Sequence, residues 1–156
     1  LGAIEAGDDA VGLRAAALLQ QVLPSEIEVR TDATGGTRIL EWCDGIDVLI
    51  LLDAAQATPD APPGVVFAFS YPRDRSAFQA TRGHNTHALS MLDWLDLAHR
   101  LGVLPAVVQI WGVAGQAFGP CSPLSPDVER GTREMVSLVR QVVARAMGGE
   151  AGAGLS

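Results

Sequence analysis

The sequence contains no lysine; all eleven of its basic residues are arginine. Against eighteen acids they leave a net charge of −7. That balance excludes a binder of nucleic-acid backbone, which needs a basic face. The lysine deficit, with so much Ala, Gly and Val, reads as a GC-rich coding bias and carries no function. Cysteine is scarce too. Cys43 and Cys121 stand alone without a local partner motif, as reduced thiols of a cytoplasmic protein do and a disulfide framework does not. Long apolar runs are missing: Val48 to Leu52 is far too short to cross a bilayer. No basic segment followed by an apolar one opens the chain, so no secretory signal is expected. Also missing are a C-x-x-C pair, a G-x-S-x-G elbow, a P-loop and a G-x-G-x-x-G turn. Their absence counts against a zinc ribbon, a serine hydrolase and a nucleotide enzyme.

What remains is 156 residues, 48% of them hydrophobic, enough for one domain with one core rather than a disordered chain. Apolar spacing predicts a helix from Asp9 to about Leu23, with Val11, Ala15, Leu18, Leu19 and Val22 on one stripe. Ile27 to Thr31 alternates like a short strand and leads into the loop Asp32-Ala33-Thr34-Gly35-Gly36-Thr37. A short helix is expected over Arg38 to Cys43. Ile46 to Leu52 then reads as a strand buried on both faces, ended by Asp53. Val65 to Phe69 reads as another strand, and Ser70 to Thr86 as a long surface loop. A helix follows from His87 to Leu101, then a buried strand from Ala106 to Val113. Ser125-Pro126-Asp127 starts a last helix: a capping residue, a proline in the first turn, and an acid at the positive end of the dipole. That helix is expected to reach Met147, giving a domain over 1–147 and a flexible tail over 148–156. Strands alternating with helices predict a single three-layer α/β domain, its mostly parallel sheet covered by helices on both faces.

In such sheets ligands bind beyond the carboxyl ends of the strands. The polar residues there are Asp8 and Asp9 in Gly7-Asp8-Asp9-Ala10-Val11-Gly12, then Asp32, Asp53, and the pair His84 and His87. Each has an ordinary structural reading. Asp8 or Asp9 suits a helix cap, Asp53 a turn cap, and either His a solvent-facing or satisfied position. Taken together, two carboxylates and one imidazole form a mixed oxygen and nitrogen donor set that suits nickel or zinc. A cation also explains how the acids coexist. The separations of 44 (53 − 9) and 34 (87 − 53) are not a local motif.

At these residues the chain resembles the hydrogenase maturation endopeptidase family, nickel-dependent proteases that trim the C-terminus of a nickel–iron hydrogenase large subunit. The resemblance runs over roughly residues 2–142. Gly7-Asp8-Asp9-Ala10-Val11-Gly12 is similar to the family's G-D-D/E-x-x-G segment, whose second acid is a metal ligand, here Asp9. Leu51-Leu52-Asp53-Ala54 resembles its apolar strand ending in Asp-Ala, which makes Asp53 the second ligand. Asn85-Thr86-His87-Ala88-Leu89 resembles S-T-H-x-L, which makes His87 the third. Ile110 to Val113 and Leu124-Ser125-Pro126-Asp127-Val128 match a later strand and an L-S-P-x-V helix start. Asp32, Gly35 and Gly36 resemble a D-G-G-T loop concerned with substrate recognition. The family opens with a strand ending in G-x-G-N. Here only Gly2 corresponds, Ala3 stands in place of Asn, and that first strand is expected to be missing from the chain.

The resemblance implies an endopeptidase acting in the cytoplasm as a monomer on the large-subunit precursor, with no nucleic-acid partner and no membrane insertion. Nickel arrives in the precursor and meets Asp9, Asp53 and His87, with Asp9 as candidate catalytic base. Three other readings stay open. One is a degenerate, non-catalytic module of the same fold that binds nickel or the large subunit. Another is a small-molecule enzyme on a Rossmann-like fold, for which Gly35-Gly36 is the only phosphate-loop candidate. The third is an α/β domain whose acids are caps.

Overall fold

Val48–Gln56 and Val107–Gly115 carry aliphatic residues almost without a break, the composition of strands covered on both faces, and they pair in parallel. The structure is a computed structural model that describes residues 7–34, 36–80, 86–120 and 122–150, except for the side chains of 86–90, 149 and 150. A 3₁₀ turn, Gly7–Ala10, precedes α1, Val11–Val22, and α2 is the short Ile39–Trp42. Then come β1, Val48–Gln56; β2, Val66–Tyr71; α3, Arg75–Ala80; and α4, Thr86–Leu101. The series ends with β3, Val107–Gly115, and α5, Pro126–Glu150. Among the described residues the sheet order is β1-β3-β2, with β2 antiparallel to β3. The sheet is therefore mixed, an antiparallel strand beside a parallel pair.

Side chains of a strand alternate between faces. Leu49 and Leu51 of β1 join a core with Ile39, Trp42, Met91, Leu92 and Leu95, beneath α2 and α4. Ala54 joins the opposite core with Val11, Ala15, Leu19, Val128, Met135 and Val139, and Ile50 and Leu52 pack against it beneath α1 and α5. Three layers result, as expected. Burying a side chain such as Leu95, which is 0% exposed, contributes about 1.5–3 kcal/mol. An ion pair between Arg14 of α1 and Glu129 of α5, 2.9 Å apart, bridges the two helices of one layer. No helix among the described residues is long and apolar enough to cross a membrane.

Four sequence expectations are corrected. The Ile27–Thr31 segment is not a strand. Its alternation is real, since Ile27 and Val29 pack against the α1–α5 core, but none of its backbone groups joins a ladder among the described residues. β1 does not end at Asp53 but runs on to Gln56, because the small buried Ala54 and Ala55 keep pairing with Val113 and Ala114. The expected loop from 70 to 86 contains α3, whose Phe78 is wholly buried. Finally α5 continues through 148–150, the start of the expected tail. Glycine within a helix costs only about 1 kcal/mol relative to alanine and does not by itself stop the helix. Residues 1–6, where the first strand was expected to be missing, lie outside the described residues, as do 151–156.

Below the α2–α4 layer, Asp96 of α4 gathers β2 and α3. Tyr71 donates its phenol to Asp96 Oδ1, and the Arg75 guanidinium donates to both carboxylate oxygens. The ring of His99 meets Tyr71 edge-on at 6.2 Å. Burial and the bond to Asp96 push the Tyr71 phenol from 10.0 up to about 12. A native pKa raised above its unfolded value of about 10 gives stability that is present below pH 10 and lost as pH rises through the native value. Tyr71 is the only tyrosine, so absorbance at 295 nm reads it directly. The expected titration midpoint is near 12 in the native protein, and it falls toward about 10 in urea and in Asp96→Asn. A native midpoint near that of the urea-unfolded chain would contradict this placement.

Candidate active site

The opening turn sits at the carboxyl end of β3 because one side chain is built into that end. Asp8 is 0% exposed. Its Oδ2 accepts the backbone N–H groups of Gln116 and Ala117, each at 2.9 Å. Its Oδ1 accepts the N–H of Ser125 at 2.9 Å and the Ser125 hydroxyl at 3.0 Å. Burial opposes the charged form, but the donors from Ser125, Ala117 and Gln116 outweigh it and hold the carboxyl below its ordinary range. The backbone adds two more bonds, from Gly7 N–H to Ser122 O and from Asp8 N–H to Ala117 O. The fit leaves no room for side chains. Gly7 has φ +60°, and a Cβ on it would lie 2.0 Å from Ala117 O. A Cβ on Gly115 would lie 2.6 Å from that of Asp8.

Asp8 therefore caps no helix. The N-cap of α1 is Ala10, without a side-chain hydrogen bond. Asp9, next in the same turn, is half-buried. The turn packs against β1, where Asp53 is 5% exposed. Alternation from Leu49 and Leu51 puts Asp53 on the α2–α4 face, opposite Gly112 in the ladder. Its Oδ1 accepts the N–H of Ala54 at 2.8 Å. His87 falls in the first turn of α4, the helix that covers this face. Its side chain, His84 and Cys121 lie outside the described residues. Among the described residues no group of three metal-ligating side chains stands together.

Asp32 has a different setting. It is 4% exposed, and its carboxylate turns back into its own loop. Oδ1 accepts the N–H and hydroxyl of Thr34, and Oδ2 accepts the N–H of Gly36 at 2.8 Å. The loop in turn rests on α4: a Cβ on Gly36, at φ +93°, would lie 3.3 Å from Met91 Cα. Met91 is one helical turn beyond His87, so this loop lies over the helix that carries the candidate imidazole. Gly35 lies outside the described residues. The structure thus puts the Asp9 turn against β1, the strand that carries Asp53, and the Asp32 loop beside α4.

A family model described as hydrogenase maturation protease matches residues 14–142. The chain belongs to that family. The match covers Asp32, Asp53 and His87 and begins after Asp8 and Asp9. Comparison with curated proteins gave no match. Among solved structures, this maturation protease is similar to the hydrogenase maturating endopeptidase HybD from E. coli. The two are 26% identical, over 93% of this chain and 89% of that one, with a TM-score of 0.80. It is also similar to a hydrogenase 2 maturation peptidase from Thaumarchaeota archaeon SCGC_AB-539-E09. There the identity is 29% over 91% and 93% of the chains, with a TM-score of 0.66. A third, the [NiFe] hydrogenase maturation protease HybD from Thermococcus kodakarensis, is 22% identical over 90% and 93% of the chains, with a TM-score of 0.76, and shares the fold.

Sequence reading missed the part played by Asp8. The available signal was the doubled acid after Gly7: two adjacent carboxylates in one tight turn point in different directions. The Asp32 loop yields a pH prediction. Burial opposes ionisation of Asp32, but the donors from Thr34 and Gly36 prevail and its carboxyl titrates below the ordinary range. Its contribution is therefore full above the unfolded value of about 3.9 and is lost as pH falls toward the native one. Asp32→Asn is expected to cost about 1–3 kcal/mol at pH 7, measured by urea unfolding, with the gap from the unaltered protein closing below pH 4. A gap independent of pH between 3 and 7 would refute it.

Proposed function

We propose that this maturation protease is an endopeptidase that removes the C-terminal extension of a nickel-loaded nickel–iron hydrogenase large-subunit precursor in the cytoplasm. The observation that carries the reading is the family match over residues 14–142, within which Asp53 is a carboxylate only 5% exposed on a largely apolar strand. Asp53 faces the layer whose helix begins with Thr86-His87, and the Asp9 turn packs on the same strand. Carboxylates with an imidazole suit a borderline divalent cation such as nickel. The residues present fit the metal as cargo of the precursor.

On this reading Asp9, Asp53 and His87 meet the precursor's metal and hold its metal-bearing end in place, and Asp9, half-buried, also takes a proton from the attacking water. The metal supplies Lewis-acid chemistry toward the scissile carbonyl. The Asp32 loop rests on α4 through Gly36, against Met91 one helical turn beyond His87, and on this reading would contact the precursor.

Intact mass of the precursor after incubation with the protease tests this. A defined C-terminal peptide is expected to leave only from nickel-loaded precursor, and His87→Ala is expected to abolish the cut. Asp9→Asn is expected to lower kcat by about 10²–10⁴-fold, the range for loss of a general base. A stable complex with unchanged precursor mass would instead identify a binding module without proteolytic activity. Cleavage of nickel-free precursor at the same rate would remove the metal from the mechanism.

A further inference from the structure

We propose that Asp8 is a positioning residue for Asp9. Its carboxylate latches the opening turn onto the Gln116–Ser125 loop and so fixes where Asp9 stands relative to Asp53. This rests on the reading of Asp9 as the carboxylate that meets the precursor's metal.

The argument is one of donors and acceptors. A carboxylate is acceptor-only, and both oxygens of Asp8 are committed to donors from two directions. Gln116 and Ala117 approach Oδ2, and Ser125 approaches Oδ1 with both its N–H and its hydroxyl. An asparagine has the same shape but carries one NH2. Whichever way that amide turns, a donor faces a donor, either the Gln116 and Ala117 pair or Ser125. The clash cannot be relieved by the neighbouring backbone. Gly115 lies against the Asp8 side chain and Gly7 against Ala117 O, both closer than a Cβ permits. The turn must therefore shift as a unit, and it carries Asp9 with it.

Two backbone bonds join the turn to the same loop, Gly7 N–H to Ser122 O and Asp8 N–H to Ala117 O. Ser125, the residue before Pro126, links the same latch to the start of α5. Thus the Asp9 turn, the exit of β3 and the start of α5 share one carboxylate.

The test uses the whole chain, ¹⁵N-labelled, with Ni²⁺ alone as probe, and compares Asp8→Asn, Ser125→Ala, Asp9→Asn and Asp8→Asn/Asp9→Asn. Without metal, Asp8→Asn is expected to speed amide exchange at Gln116, Ala117 and Ser125 and to move the Asp9 and Ala10 resonances, while Leu49 and Leu51 stay in place. Ser125→Ala, which keeps its N–H, moves them in the same direction by less and serves where Asp8→Asn does not fold. Unmoved Asp9 and Ala10 resonances in the folded variants would overturn the proposal. With Ni²⁺, followed by paramagnetic broadening near Asp53, Asp8→Asn is expected to weaken binding by about 10–100-fold, as loss of an outer-shell partner does. In the Asp9→Asn background the same change adds nothing, because Asp8 acts through Asp9. A full additional loss there would make Asp8 a general structural residue and sink the inference. Equal Ni²⁺ affinity in Asp9→Asn and the unaltered protein would instead remove Asp9 from the metal and fail the functional reading. The metal-free resonances still decide the positioning claim.

Discussion

The buried carboxylate of Asp8 is the constraint around which the opening turn, the exit of β3 and the start of α5 are arranged. An ionised group taken out of water costs several kcal/mol unless donors replace its hydration. Here the donors come from Gln116 and Ala117 just past β3 and from Ser125 just before α5. No local turn supplies them, so the charge is tolerated only when residues more than a hundred positions apart have come together. The opening turn, the β3 exit and the α5 start are correct together or not at all. Charge-assisted hydrogen bonds are short and directional, which suits a part whose task is placement.

The sheet sets which layer each of the other candidate acids meets. Period-two alternation leaves Asp53 on the face of Leu49 and Leu51, beneath α2 and α4. The turn bearing Asp9 leads into α1 on the opposite layer. Asp53 and the turn that bears Asp9 thus meet β1 from different layers, which no contiguous motif could have arranged. The Asp32 loop, braced by its own carboxylate and seated on Met91, closes toward α4. Parallel strands with helical crossovers produce such convergence generally, because successive loops return to the same edge.

Much of this was legible in the sequence. The unbroken run Val48 to Leu52 announced a strand covered on both faces, and Ser125-Pro126-Asp127 announced α5. The Gly7-to-Gly12 segment, Asp53 and the Thr86-His87 pair marked the family that the match over residues 14–142 establishes. What escaped depends on partners distant in sequence. Ile27 to Thr31 alternates as a strand does, yet pairing requires a neighbour and alternation only a half-buried surface. α3 was hidden because six residues, Arg75–Ala80, carry a single buried anchor, Phe78, too little for a periodicity. The antiparallel run of β2 is a property of the connection, and the strand's own composition is silent on it. Asp8 and Asp9 look alike as letters. Only the fold distinguishes Asp8, wholly buried with both oxygens bonded, from the half-buried Asp9.

That distinction bears on how such a site would tell a loaded precursor from an empty one. Acids near one another repel, and the chain as a whole carries −7. On the proposed reading, an unloaded precursor would bring only acceptor groups toward Asp9 and Asp53, whose negative charge disfavours them. With a cation, the sign of the interaction reverses. A unit charge about 4 Å from a carboxylate near a protein surface is worth about 4 kcal/mol, or roughly three powers of ten in affinity. Discrimination is a difference of two affinities, and here the repulsive term is already present in the unloaded state. A resident metal held tightly by the protease would cancel that difference by neutralising the acids in advance. On the proposed reading, acids placed from outside by a latch that spends its own charge on backbone and serine donors would preserve it.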